Sequence, residues 1–196
     1  MAKRQIIDTI IFDAGGVLFY INEFRNTIIK RVLFSMGYSE LIIIKGLESV
    51  NDFDLKYFKS DNNICSWEDE RKWLDARYKF LANVIDKGNL ELADRLKYVA
   101  FDTYQYKLFD ETIDVLNRLK KSYKLCVLSN ATASLDWAFD FLDIRKYFEE
   151  VIISSYENCF KPDEKLYYIA LEKLNKNHLN VCLLMIKLKM LLLQKK

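Results

Sequence analysis

Strand-like and helix-like stretches alternate through the C-terminal half of this 196-residue chain. A helical pattern at 111–121 precedes the run KLCVLSN (124–130). A helix opening near Ser134 precedes EEVIISSY (149–156), and a helix from Pro162 to about Leu174 precedes an apolar stretch beginning at Val181. Each strand-like run is short, apolar and bounded by turn residues. Such alternation is satisfied by a parallel sheet with helices on both faces, because a parallel connection has to cross over the sheet. Near the N-terminus, residues 5–12 (QIIDTIIF) read as one more buried, β-branched strand, ended by Asp13-Ala14-Gly15-Gly16. It belongs in the same sheet.

Between that first strand and the rest, residues from about 20 to 100 are rich in aromatics and carry no convincing strand. A helical stretch at 22–36 turns at Gly37. A clearer helix runs from Ser66 to about Asp86, opened by a capping box of Ser66 and Asp69. Trp67, Leu74, Tyr78, Leu81 and Ile85 share one of its faces. Gly88 ends it, and Asn89 caps a further helix to about Tyr104. The expected architecture is therefore α/β: a doubly wound parallel (Rossmann-like) sheet from 1–18 and 101–196, interrupted by an all-helical domain at 19–100.

Composition excludes several function classes. Hydrophobic residues at 51% allow a sizeable core, and a net charge of +2 with both signs interspersed gives no reason to expect nucleic acid. Cys65, Cys126, Cys159 and Cys182 are far apart and form no CxxC pair, so free thiols of a reducing compartment are expected. The N-terminal apolar run is broken by Asp8 and Asp13, unlike a signal peptide. No stretch of about 18 uncharged apolar residues exists, so no membrane span is expected. The expected location is cytoplasmic.

In an open parallel sheet, ligands bind beyond the C-terminal ends of the strands. Three of those ends carry polar residues suited to phosphoryl chemistry. The first strand runs into Asp13, the second ends in Leu128-Ser129-Asn130, and the loop after the third holds Phe160-Lys161-Pro162-Asp163. An aspartate at a strand tip can attack phosphorus and form an acyl phosphate. The glycines behind it let the backbone bend around an anion or metal. A serine hydroxyl can hold a phosphate oxygen, and a lysine can neutralise nucleophile and transition state. Singly, each is commonplace: a turn, a helix cap, a helix start.

Together, in this order on three successive strand ends, they resemble the haloacid dehalogenase-like (HAD) superfamily. The resemblance covers all but about the last dozen residues, and the helical insertion matches the family's cap domain. It implies that Asp13 is nucleophile and magnesium ligand, with the Gly15 carbonyl as a second ligand. It implies that Lys161 pairs with Asp13 and that Ser129, with Asn130, binds the substrate's phosphate. The implied activity is a Mg2+-dependent phosphatase acting on a small phosphorylated metabolite, its specificity set by the cap. A 2-haloacid dehalogenase is the alternative reaction, and a non-catalytic, decayed member the alternative class.

Two departures from the family pattern bear on this. The position two after the nucleophile, usually an Asp general acid/base, is Gly15; some family phosphatases carry glycine there, and the dehalogenases lack the Asp too. The fourth motif, an apolar strand followed by an acidic pair, is absent, since no acidic residue follows Glu172. The tail LLMIKLKMLLLQKK (183–196) reads as a helix on the core, as a cationic membrane-surface helix, or as a frameshift. Read one base earlier, the G of Met185 with the AT of Ile186 gives Asp, and a Leu184 codon ending in G gives a second. Such an Asp pair favours a phosphatase ancestor. On that reading the metal's carboxylates and the sheet's last strand and helix are lost, which predicts an unstable chain. His178 is expected at the surface, and Trp67, Trp73 and Trp137 in core or cap packing.

Overall fold

A computed structural model describes residues 7–59, 63–102 and 106–184. The chain divides into two compact units, one of Met1–Tyr20 with Tyr106–Lys196 and the other of Ile21–Gln105.

The first unit is built on a parallel four-stranded sheet of β1 (Thr9–Phe12), β4 (Lys124–Ser129), β5 (Glu150–Ile153) and β6 (Val181–Leu184), in the order β5-β4-β1-β6. Strand β1 lies between β4 and β6, with Thr9 opposite both Lys124 and Val181. Side chains alternate across the sheet. Ile10 and Phe12 of β1, Leu125 and Val127 of β4, and Ile153 of β5 share one core with Leu116 of α5 (Thr112–Leu119) and with Leu135 and Phe139 of α6 (Ser134–Phe141). Ile11, Cys126, Leu128 and Ile152 face the other way, onto Leu166 and Ala170 of α7 (Glu164–Lys173). Helices thus cover both faces, as the alternation of elements predicts.

Several local expectations are corrected. Strand β1 begins at Thr9 rather than residue 5, and residues 5 and 6 lie outside the described residues. Strand β5 stops at Ile153, because the chain turns there: Tyr156 N–H bonds Ile153 O at 3.1 Å. Helix α7 starts at Glu164, not Pro162; the Asp163 side chain caps it by accepting from Lys165 N–H at 2.9 Å. A small sheet of β2 (Phe19–Ile21) and β3 (Tyr106–Leu108) was not foreseen, since three residues are too few to display a period. The last strand, expected to be lost, forms and pairs with β1 along its length. The apolar VCLL supplies it before the sequence departs from the family pattern. The proposed frameshift, at 184 and beyond, lies otherwise outside the described residues.

The second unit holds α1 (Arg25–Ser35), α2 (Glu40–Lys59), α3 (Trp67–Ile85) and α4 (Leu90–Asp102). Its core gathers Ile29, Leu33, Ile43, Val50, Leu74, Tyr78, Leu81 and Leu96. Ser66 caps α3 by accepting from Asp69 N–H at 3.1 Å, while the Asp69 carboxylate reaches back to Cys65 N–H. Asn89 accepts from Leu92 N–H at 2.9 Å. In α2, a Cβ at Gly46 would sit 3.0 Å from the Ile85 side chain, so the glycine lets α2 and α3 approach. Trp67 is half exposed rather than on the buried face of α3, and in the first unit Trp137 is likewise exposed, stacked on Phe141. No described helix is long and apolar enough to cross a membrane.

Candidate active site

Asp13 directly follows β1, and its N–H bonds the carbonyl of Leu184 at 2.9 Å, so β6 fixes its backbone. Its carboxylate takes three donors. Oδ1 accepts from Ala14 N–H at 2.9 Å and from the Ser129 hydroxyl at 3.2 Å; Oδ2 faces Lys161 Nζ at 2.8 Å. The Lys161 side chain is 7% exposed and that of Asp13 24%, so the ammonium is sequestered while the carboxylate keeps an open side. Lys161 Nζ also donates to the Leu128 carbonyl at 2.9 Å. A charge-assisted set of this kind holds a nucleophile in one rotamer and balances its charge.

The loop behind Asp13 is tightly folded. Val17 and Leu18 N–H groups return to Ala14 O, Gly16 N–H bonds Phe19 O at 2.6 Å, and the Thr112 hydroxyl ties down Leu18 O at 2.8 Å. The two glycines differ in what they must do. Gly16 has φ +73°, where a side chain is strained. A Cβ on Gly15 would meet nothing within 4 Å, so the fold does not require glycine there.

The structure brings Asp13, Ser129 and Lys161 together and places Gly15 in the adjoining loop. Asn130, beside them, turns its carboxamide to the main chain of Lys161. Its Nδ2 donates to Lys161 O at 2.9 Å, and its Oδ1 accepts from Lys161 N–H at 2.7 Å. Groups missed from the sequence include the Ala14 amide and the Leu128 carbonyl, which carry no side-chain signature. Ser154 was also missed. Its hydroxyl accepts from Ala131 N–H at 3.0 Å and bonds Ala131 O at 3.2 Å, stapling the β5 tip to the segment after β4. The Ser-Ser pair closing EEVIISSY was the available signal. His178 is exposed at the start of β6, the opposite end from Leu184. Burial pushes the Cys126 thiol on β4 up to about 11, and raises Cys159, so neither is an activated nucleophile.

Magnesium demands about six oxygens in octahedral geometry. The Asp13 carboxylate and the Gly15 carbonyl are the candidate donors here, and no group of three His, Cys, Asp or Glu side chains is gathered among the described residues. These residues do not by themselves make up a magnesium site.

A family model described as a haloacid dehalogenase-like hydrolase matches residues 7–184. No curated protein matches. Solved structures similar to this one include a 2-haloacid dehalogenase from Pseudomonas syringae pv. Tomato DC3000, at TM-score 0.61 and 18% identity, covering 91% of this chain and 77% of that one. A HAD family enzyme from Bacteroides thetaiotaomicron, in complex with magnesium and inorganic phosphate, gives TM-score 0.62 and 15% identity over 90% and 83%. The L-2-haloacid dehalogenase of Xanthobacter autotrophicus with chloropropionic acid covalently bound gives 0.52 and 17% over 91% and 69%. At such identities these likenesses speak for the fold. The sheet topology, the Asp13–Ser129–Lys161 cluster and the match over residues 7–184 agree, and the chain belongs to the haloacid dehalogenase-like hydrolases.

Proposed function

We propose that the chain is a phosphatase-type hydrolase of a small phosphorylated metabolite, working through an aspartyl-phosphate, and impaired here by loss of the fourth-motif acids. The observation that supports Asp13 as the nucleophile is its carboxylate held by Lys161 at 2.8 Å and Ser129 at 3.2 Å with one side open. In the first step an Asp13 oxygen forms a bond to phosphorus as the ester P–O bond breaks, and the alcohol leaves with a proton from solvent. The Ser129 hydroxyl turns from Asp13 Oδ1 to donate to a phosphoryl oxygen, and the Lys161 ammonium offsets the charge that develops in the transition state. In the second step water attacks the acyl phosphate, releasing phosphate and restoring the carboxylate. Gly15 supplies no proton to either step, so substrates with poor leaving groups turn over slowly.

Magnesium is the cofactor this reading carries; the Asp13 carboxylate and the Gly15 carbonyl would supply two of its oxygens, and the ion would offset charge on the phosphoryl group. The sequence has no acidic residue after Glu172 to complete the set, so weak magnesium binding follows. A 2-haloacid dehalogenase is the second reading. The pairing of Asp13 with Lys161 and the glycine at position 15 suit it equally, and there Asp13 displaces halide from carbon.

The deciding assay measures phosphate release from p-nitrophenyl phosphate with and without magnesium, beside halide release from 2-chloropropionate. Phosphate release that disappears in Asp13→Asn supports the proposal. Halide release without phosphate release overturns it in favour of the dehalogenase. Absence of both, with no magnesium binding, leaves a non-catalytic member.

A further inference from the structure

Three successive residues at the tip of β4 reach the site in three different ways. The Leu128 carbonyl takes the Lys161 ammonium at 2.9 Å, and the Ser129 hydroxyl bonds Asp13. Asn130 grips the lysine's main chain through both ends of its carboxamide, at 2.9 and 2.7 Å. Such a closed pair of hydrogen bonds is what a neighbouring strand would offer, delivered here by one side chain to a loop residue. The residue after Lys161 is Pro162, which has no N–H to pair. Lys161 is therefore held at both ends by β4 and the residue that follows it: its backbone by residue 130, its ammonium by residue 128.

We infer that Asn130 is a positioning residue for Lys161, acting on the reaction through the lysine's backbone and not through the substrate. This rests on the reading of Asp13 and Lys161 as reacting groups. A flexible four-carbon side chain places its charge well only when its root is fixed. A displacement of about 1 Å at such a group costs on the order of a hundredfold in rate. Losing Asn130 therefore lowers kcat and leaves substrate affinity alone.

The test is a double-mutant cycle on p-nitrophenyl phosphate hydrolysis, with folding of each variant checked by circular dichroism. Asn130→Ala lowers kcat by about tenfold to a hundredfold with KM unchanged within about twofold. In a Lys161→Met background the same substitution costs nothing further. Asn130→Asp keeps the acceptor for Lys161 N–H but sets a carboxylate oxygen against Lys161 O, and behaves like Asn130→Ala. A second measurement needs no turnover: acetylation of Lys161 by acetic anhydride, followed by mass spectrometry. The amine is protected in the parent chain and is labelled several-fold faster in Asn130→Ala. A raised KM with kcat intact, additive losses in the cycle, or unchanged Lys161 labelling overturns the inference. If the parent chain hydrolyses nothing, the phosphatase reading fails and the labelling alone decides the positioning role.

Discussion

Replacing Asp54 with alanine removes the counter-charge of a guanidinium that the helical unit has almost wholly enclosed. The Arg77 side chain is 7% exposed and that of Asp54 22%. Arg77 Nε lies 3.0 and 3.2 Å from the two Asp54 oxygens, and Trp73 Nε1–H donates to Oδ1 at 3.0 Å. The remaining guanidinium nitrogens bond the Tyr78 hydroxyl and Asn26 Oδ1, each at 3.2 Å. At an effective dielectric near 20, charges about 3 Å apart attract by roughly 5 kcal/mol. Water entering beside Asp54, the more exposed partner, recovers part of that, and breaking buried pairs by removing one partner costs about 3–5 kcal/mol. Asp54→Ala is therefore expected to destabilise by about 3 kcal/mol, a large share of a domain's total stability. Removing both charges by Asp54→Leu with Arg77→Met should cost far less, within about 1.5 kcal/mol of the parent, because no unpaired charge stays behind. Urea unfolding followed by far-ultraviolet circular dichroism measures both. A cost below about 1 kcal/mol for Asp54→Ala, or a double variant as unstable as the single, would refute the reasoning.

Lys161→Met is expected to lower kcat about a hundredfold to a thousandfold by removing a preorganised charge; steady-state kinetics showing full activity would remove Lys161 from the mechanism. Gly15→Asp should fold normally, since nothing lies within 4 Å of the new Cβ, and should speed turnover of alkyl phosphates more than of p-nitrophenyl phosphate. Equal effects on both substrates would count against a missing acid. A thiol reagent at pH 8 should label exposed Cys65 at once and Cys126 only on unfolding. Burial favours the neutral thiol below about pH 11, so at pH 8 Cys126 is almost wholly protonated. Sequencing the coding DNA checks the tail: reading one base earlier near codon 184 should give an acidic pair, and restoring that frame should restore magnesium binding measured by calorimetry.

The sequence by itself determined whatever depends on neighbours within a turn or a strand. The β-branched run before Asp13, the alternation after residue 110, and the caps at Ser66 and Asn89 were legible because the interactions that make them span a few residues. Asp13, Ser129 and Lys161 could be picked out because the first two sit at strand ends and the third in the loop after a strand, where residue type and sequence order carry the chemistry. Tertiary structure decided what depends on distant partners. The order β5-β4-β1-β6 brings strands far apart in sequence side by side, and the pairing of β2 with β3 joins residues more than eighty positions apart. Trp67 and Trp137 read as packing residues because they are large and apolar, yet burial depends on what stands opposite, and both stay half exposed. The family resemblance implies a place for Asn130 at the phosphate, and no sequence pattern links it to Lys161. Only the return of the chain thirty-one residues later, bringing the Lys161 backbone within 2.9 Å of both ends of its amide, made it a clamp on the lysine.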